Sequence, residues 1–391
     1  MGRCYPSWWA GICLIAALFA PLHVAAVEPA KEFLDALRRQ KYFDVALDYL
    51  DTLPDNPAVP IEFKQTLPYE RGITLVEGAR FQRDSALKDK WLDDAQRELT
   101  NYVSGQHASL LAVNARSQLG NVIVERAKSR LEKSKKQSGD AKDQLLLESR
   151  KLFEEAIAIY TGQVNTTLER LKKYPALIPQ GDKLFGEREI LRQEFLQAKI
   201  LAVAAKEEMA EIYAPDSSEY VKLITECADG YKPIGDDYRT FLGGMYARAY
   251  QARCLQKLGK HKEALGYLTE LIAQPDNSDL HPMRVVAISQ AIESWSALKL
   301  YNKIVDTAYP LVDKARPDED RTDEFMGMRV RIAKAYKQYA DELKAADPRD
   351  PQSKQLLNSG RALVAKVARF RGPYQEAGRR MLAEFAGADI E

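Results

Sequence analysis

Lys41-Tyr42-Phe43-Asp44-Val45-Ala46-Leu47-Asp48-Tyr49-Leu50 aligns without a gap on Gly259-Lys260-His261-Lys262-Glu263-Ala264-Leu265-Gly266-Tyr267-Leu268. Ala46 and Ala264, Leu47 and Leu265, Tyr49 and Tyr267, and Leu50 and Leu268 coincide, with Leu53 and Leu271 one turn later. A small residue followed by apolar residues at helical spacing marks a helix that packs closely along one stripe. Its return far down the chain indicates a repeated helix-turn-helix unit. Two degenerate copies share the pattern: Phe153, Ala156, Ile157 and Tyr160, then Tyr301, Ile304, Ala308 and Leu311.

The rest of the chain agrees with a helical reading. No stretch alternates with period 2 for long, and the β-branched runs Val122-Ile123-Val124 and Val285-Val286 sit inside helical patterns, so no strand is expected. Prolines punctuate most of the chain but are missing from Tyr69 to Tyr174, where the longest helices should lie, 107–134 pairing with 141–173. Further helices are expected near 30–39, 42–53, 68–83, 86–104, 186–213, 217–230, 236–258, 261–274, 280–297, 300–314, 318–345, 352–370 and 374–386. Asp216 with Glu219 reads as a capping box, and Pro351 as a first helical residue. About fifteen helices joined by short links cannot share one core, and stacking them as pairs buries each face. The expected fold is all-α, a right-handed superhelical solenoid of antiparallel helix pairs without a β-sheet. It falls into segments 27–174 and 186–391 behind a leader at 1–26.

The repeat resembles the tetratricopeptide repeat, a unit of 34 residues. Met245 to Ser278 matches best: Ala252 and Leu255 hold the packing places of the first helix, Gly259 ends it, and His261, Ala264, Leu268 and Leu271 line the second. The pattern's tryptophan place holds Arg248, and its usual tyrosine place holds Leu255. Residues 30–58 form the other clear copy, with Ala46 and Leu50 at the packing places. The resemblance implies a scaffold or adaptor that grips a protein or peptide on the concave face of the first helices. On this chain that face would carry Lys31, Asp35, Arg38 and Arg39 in the first copy and Tyr246, Arg253, Gln256 and Lys257 in the better one. The basic lean of this set suits an acidic peptide. The family's carboxylate clamp needs an asparagine where Asp35 and Arg253 stand, so that activity is not implied.

Composition narrows the remaining classes. The chain has 391 residues, 46% apolar and 29% charged, ample for a buried core. Lys and Arg total 57 against 56 Asp and Glu, a balance that argues against nucleic acid as the partner. Beyond the leader, His107, His261 and His281 form no metal-ligand spacing, and no Gly-rich phosphate loop occurs, so no metal or cofactor is expected. An all-helical toroid using paired carboxylates on a polysaccharide is the alternative reading, since many acid pairs are available. Self-association through the terminal repeats is a third. Two basic stretches stand out: Arg126 to Lys136 on a helix tip, and Arg361 to Arg380, where six bases face one acid, Glu376. Both read first as solvated surface.

Arg3, an apolar run from Trp8 to Ala20, Pro21 and small residues at Val24-Ala25-Ala26 form a secretory leader, placing the protein in the cell envelope outside the cytoplasm. Left uncleaved, the same segment would tie the chain to a membrane. Cys227 and Cys254 are then the remaining cysteines, and a helical turn centred on Pro233 would hold them roughly 20 Å apart along antiparallel axes, as separate thiols. Terminal sequencing of the exported protein is expected to begin at Val27; an intact Met1 would make the segment an anchor.

Overall fold

The computed structural model describes residues 30–105 and 110–387. Helices hold 78% of these residues, and no strand occurs among them. The leader expected at 1–26 and His107 lie outside the described residues. Two compact units divide between Gln65 and Thr66, not at the 174–186 segment. There the flanking helices pack on each other, so the proline-rich link between them is a turn within one unit.

In the first unit, α1 (Ala30–Arg39) packs on α2 (Phe43–Thr52), and a short α3 (Ile61–Lys64) follows. Leu34, Ala46, Leu50 and Leu53 are buried between them, and Phe33 meets Tyr49 edge to face at 4.8 Å. The second unit begins with α4 (Leu67–Ala79), α5 (Ser85–Gly105), α6 (Leu110–Ser134), α7 (Asp140–Leu171) and α8 (Lys183–Ala210). It continues through α9 (Ser218–Asp237), α10 (Leu242–Lys257), α11 (His261–Ile272) and α12 (His281–Ala297). After α13 (Tyr301–Lys303), a π-helical turn at Ile304–Ala308 leads into α14 (Tyr309–Asp313). The last helices are α15 (Asp323–Ala346), α16 (Pro351–Arg369) and α17 (Gln375–Gly387).

Three hairpin links share one backbone geometry. Lys41, Gly259 and Lys299 have φ of 63°, 73° and 59°. In each, the next amide donates to a carbonyl five residues back: Tyr42 to Leu37, Lys260 to Leu255 and Leu300 to Trp295. This left-handed closure ends a helix and turns the chain into its antiparallel partner. Glycine adopts it freely, whereas each lysine accepts a steric penalty of roughly 1–2 kcal/mol. The shared geometry puts the third hairpin forty residues after the second, so Ile292 and Trp295 take the buried places of Ala252 and Leu255.

The second helix of that third hairpin departs from the others. Pro310 has no amide for the carbonyl of Asp306, and the turn before it widens, with the amide of Tyr309 reaching back to Ile304. The widened turn shifts the apolar stripe by one residue. Val312, not the expected Leu311, occupies the buried place, and Leu311 is only partly covered.

Each helix of the second unit packs on its successor, and the first members of successive pairs also pack on one another: α4 on α6, α6 on α8, α8 on α10, α10 on α12, α12 on α15 and α15 on α17. No packing of that extent joins the second members α5, α7, α9, α11 and α16 among the described residues. In α6 and α7, Ser117 bonds Gln163, the Tyr160 hydroxyl bonds Asn121 and Ser149 bonds the carbonyl of Ala127, an antiparallel order. The longest helix is α7, with 32 residues, in the proline-free middle, but α8 at 28 exceeds α6 at 25. The hydrogen bond from Arg83 to Gln375 (3.5 Å) brings the α4–α5 link to the start of α17 across 292 residues.

Three local expectations are corrected. Ser217, not Asp216, caps α9, its hydroxyl accepting the amide of Tyr220 at 3.2 Å. The helix expected from 318 starts later: residues 318–321 lie in a link, and Thr322 caps α15 behind them. Pro233 does not end its helix: α9 continues to Asp237, and the link is 238–241. Cys227 then stands ten residues before the end of α9 and Cys254 twelve after the start of α10. Their axial offset is therefore only about 3 Å. Both thiols are unpaired and fully buried in one apolar cluster, and burial pushes that of Cys227 up to about 12. Pro351 does open α16, with Asp350 accepting the amides of Gln352 and Ser353.

Two glycines separate tight packing from open surface. A methyl on Gly244 of α10 would lie 1.9 Å from the carbonyl oxygen of Tyr238, whereas nothing lies within 4 Å of one on Gly266 of α11. Gly244→Ala should therefore cost at least about 2 kcal/mol, and Gly266→Ala should add about 0.5–1 kcal/mol. Urea midpoints moving in opposite directions would check both.

Candidate binding face

The residues read from the repeat as a concave face occur in both units. In the first unit Asp35 holds two of the cations: Lys31 reaches it at 2.7 Å and Arg38 at 3.2 Å, while Arg39 is exposed at the end of α1. One carboxylate offsets one of the three cations, so this set stays net positive.

In the second unit Arg253 and Lys257 lie one turn apart on α10 and face α8. Glu207 of α8, only 3% exposed, receives Nε and a terminal nitrogen of Arg253 at 2.8 and 2.7 Å. Lys257 reaches Glu207 at 3.2 Å and Glu211 at 2.8 Å. The fork geometry is the strong form of a carboxylate–guanidinium contact. Burial alone would raise the Glu207 carboxyl, but Arg253 and Lys257 outweigh it and hold it below its ordinary value. Arg253 lies over the Tyr250 ring at 4.7 Å, and Tyr250 stacks on Tyr246 at 6.1 Å. Gln256 is buried, donating to Ser294 and to the carbonyl of Gln290, both at 2.8 Å. Arg253, Gln256 and Lys257 thus join first helices to one another; Tyr246 remains partly open. Their packing neighbours Ala252, Leu255, Ala264 and Leu268 are buried.

One hairpin further on, the place of Arg253 falls to Glu293, and here the surface opens. A groove of about 700 Å³ runs between α12 and α15, floored by Ile292, Ala335 and Tyr301. Tyr301 stacks on Tyr339 at 4.6 Å and bonds Glu342 at 3.1 Å, which Lys299 also meets at 2.9 Å. Those donors, Lys299 foremost, hold the Glu342 carboxyl below its ordinary value. Ser296 bonds Gln338 at 2.6 Å, and Arg331 contacts Glu324 at 3.2 Å. Glu293 and Lys334 are exposed in this lining without an ion pair among the described residues. His261, read as a packing residue, also lines the groove. Reading the repeat forward by forty residues from Arg253 would have found Glu293; the contribution of α15 carries no repeat signature.

The charge runs behave differently. Asp89 of α5 collects Ser129, Arg130 and Lys133 of α6, so the basic helix tip is partly neutralised, and these donors outweigh burial to lower its carboxyl. Arg369, Arg371, Arg379 and Arg380 are exposed. Among the described residues no group of three His, Cys, Asp or Glu is placed to hold a metal ion, and no helix is long and apolar enough to cross a membrane. No protein-family model matches the chain, and no curated protein matches it.

Glu207 contributes stability because Arg253 and Lys257 hold its folded carboxyl below the ordinary value of a glutamate. That contribution is complete above the unfolded value and lost as the pH falls through the folded one. Glu207→Gln should lose about 3 kcal/mol at pH 7, because it leaves the guanidinium of Arg253 without its anion, while Lys257 keeps Glu211. The gap from wild type should close as the pH falls below about 4.5. Urea midpoints of both proteins across pH 7 to 3 would check it, and a constant gap would contradict the ion-pair account.

Proposed function

We propose that this chain is an exported, non-catalytic helical-repeat scaffold of tetratricopeptide type, whose first helices form the concave wall of a superhelical solenoid that holds an extended peptide. The groove between α12 and α15 carries this reading, because it opens on the row of first helices and keeps two uncompensated opposite charges, Glu293 and Lys334. Close packing among first helices, without the same among second helices, favours curvature toward the first members. The common closure at Lys41, Gly259 and Lys299 supports the repeat. Export rests on the leader sequence.

The groove refines the expected partner. Arg253 and Lys257 are satisfied by Glu207 and Glu211, so the acidic group of a peptide is better met by Lys334. Glu293 on the facing helix suits a basic residue nearby, which selects a peptide of mixed charge. Glu342, tied to Lys299 and Tyr301, is held ionised, the opposite of the raised carboxyl that a general acid needs.

Charge reversal tests the site at exposed positions where folding is not in question. Peptides selected from a display library by the wild type should carry an acid, and Lys334→Glu should exchange it for a base. Glu293→Lys should exchange the basic preference for an acidic one. Selections that do not change with either substitution would remove the groove as the site.

A further inference from the structure

Arg248 occupies the place where the tetratricopeptide pattern carries a tryptophan, and the peptide face does not use it. Its side chain is 10% exposed, on the far side of α10 from Arg253 contacts, beside the α9–α10 link. Its stem lies so close to Gly235 of α9 that a methyl there would come within 2.5 Å of Cγ. The guanidinium lies over the Tyr267 ring of α11 at 5.4 Å. One terminal nitrogen contacts Glu270 at 2.8 Å, while the buried Nε–H has no acceptor. Glu270 is shared: Arg239 of the link donates to the same oxygen at 2.9 Å.

These three charges border a cavity of about 270 Å³. Two guanidinium groups, with five N–H donors each, face one carboxylate, which leaves one net positive charge. Lys232 adds none, because Asp236 holds it at 2.6 Å. The Thr240 hydroxyl and Gln274 amide also line the space, and Met245 and Leu271 give it an apolar side.

We infer that this cavity binds a small monocarboxylate, its charged end on Arg239 and Arg248 and its short apolar stem on Met245 and Leu271. One negative charge neutralises the site. A phosphate dianion would over-neutralise it and face Glu270, so charge count selects the carboxylate. The volume lies below the range of drug-sized pockets, which confines the ligand to a few heavy atoms. This site is independent of the peptide groove.

The test is titration of the full chain with butyrate at constant ionic strength, followed by calorimetry and ligand-observed NMR, with butyramide as the neutral isostere and inorganic phosphate as the competing anion. Saturable butyrate binding is expected, butyramide should not bind, and phosphate should bind more weakly. Arg239→Gln, at an exposed position, should weaken butyrate by at least about tenfold, as should Arg248→Met where it folds. Absence of saturable binding, equal binding to Arg239→Gln, or tighter binding of phosphate would each overturn the assignment.

Discussion

A helix pair closed by a single left-handed residue is the constraint on which the three matching hairpins of this structure depend. Closure at Lys41, Gly259 or Lys299 turns the chain into an antiparallel partner helix within a few residues. Such a pair buries one seam and leaves apolar residues on its flanks, so the next pair must cover them. The small residues Ala46, Ala252 and Ala264 let helices approach closely, and the larger Leu50, Leu255 and Leu268 fill the seams. Long-range order in the second unit is therefore built from short-range rules.

Polar groups enter this apolar lattice where links must be fastened. Arg329, 1% exposed, donates to the carbonyls of Asp320 and Val312 at 2.7 and 3.2 Å and contacts the Asp320 carboxylate, which Lys366 also reaches at 2.6 Å. This ties α15 and α16 to the link before them. His281 sits between Asp276 (2.7 Å) and Glu319 (2.8 Å), joining that same link to the one between α11 and α12. Glu207 does the same between helices. Arg329 and Glu207 stay buried because each has its counter-charge in place, and removing one partner costs more than the pair contributes.

Helix content, most boundaries and the seam residues were legible because they depend on local periodicity and on caps such as Asp350-Pro351. What the sequence concealed was three-dimensional. Pro233 marks a helix end in any one-dimensional reading, yet α9 tolerates it, and that one turn moves the link and brings Cys227 level with Cys254. Arg253 and Lys257 resembled open binding groups because their counter-ions lie on another helix, 46 residues upstream for the pair with Glu207. The groove was hidden for the same reason: half of its lining belongs to α15, which the repeat pattern does not reach.

The π-helical turn at Ile304–Ala308 is a dislocation in an otherwise periodic solid. One extra residue enters a single row, the phase of the apolar stripe slips, and Val312 resumes the row in place of Leu311. The slip is absorbed within one short element, so α15 still docks on α12 as though the row were perfect. A chain built this way can accept a gained or lost residue inside a second helix without disturbing the stacking of the first helices. Length is thus absorbed in the second helices, while the packing of the first helices is kept.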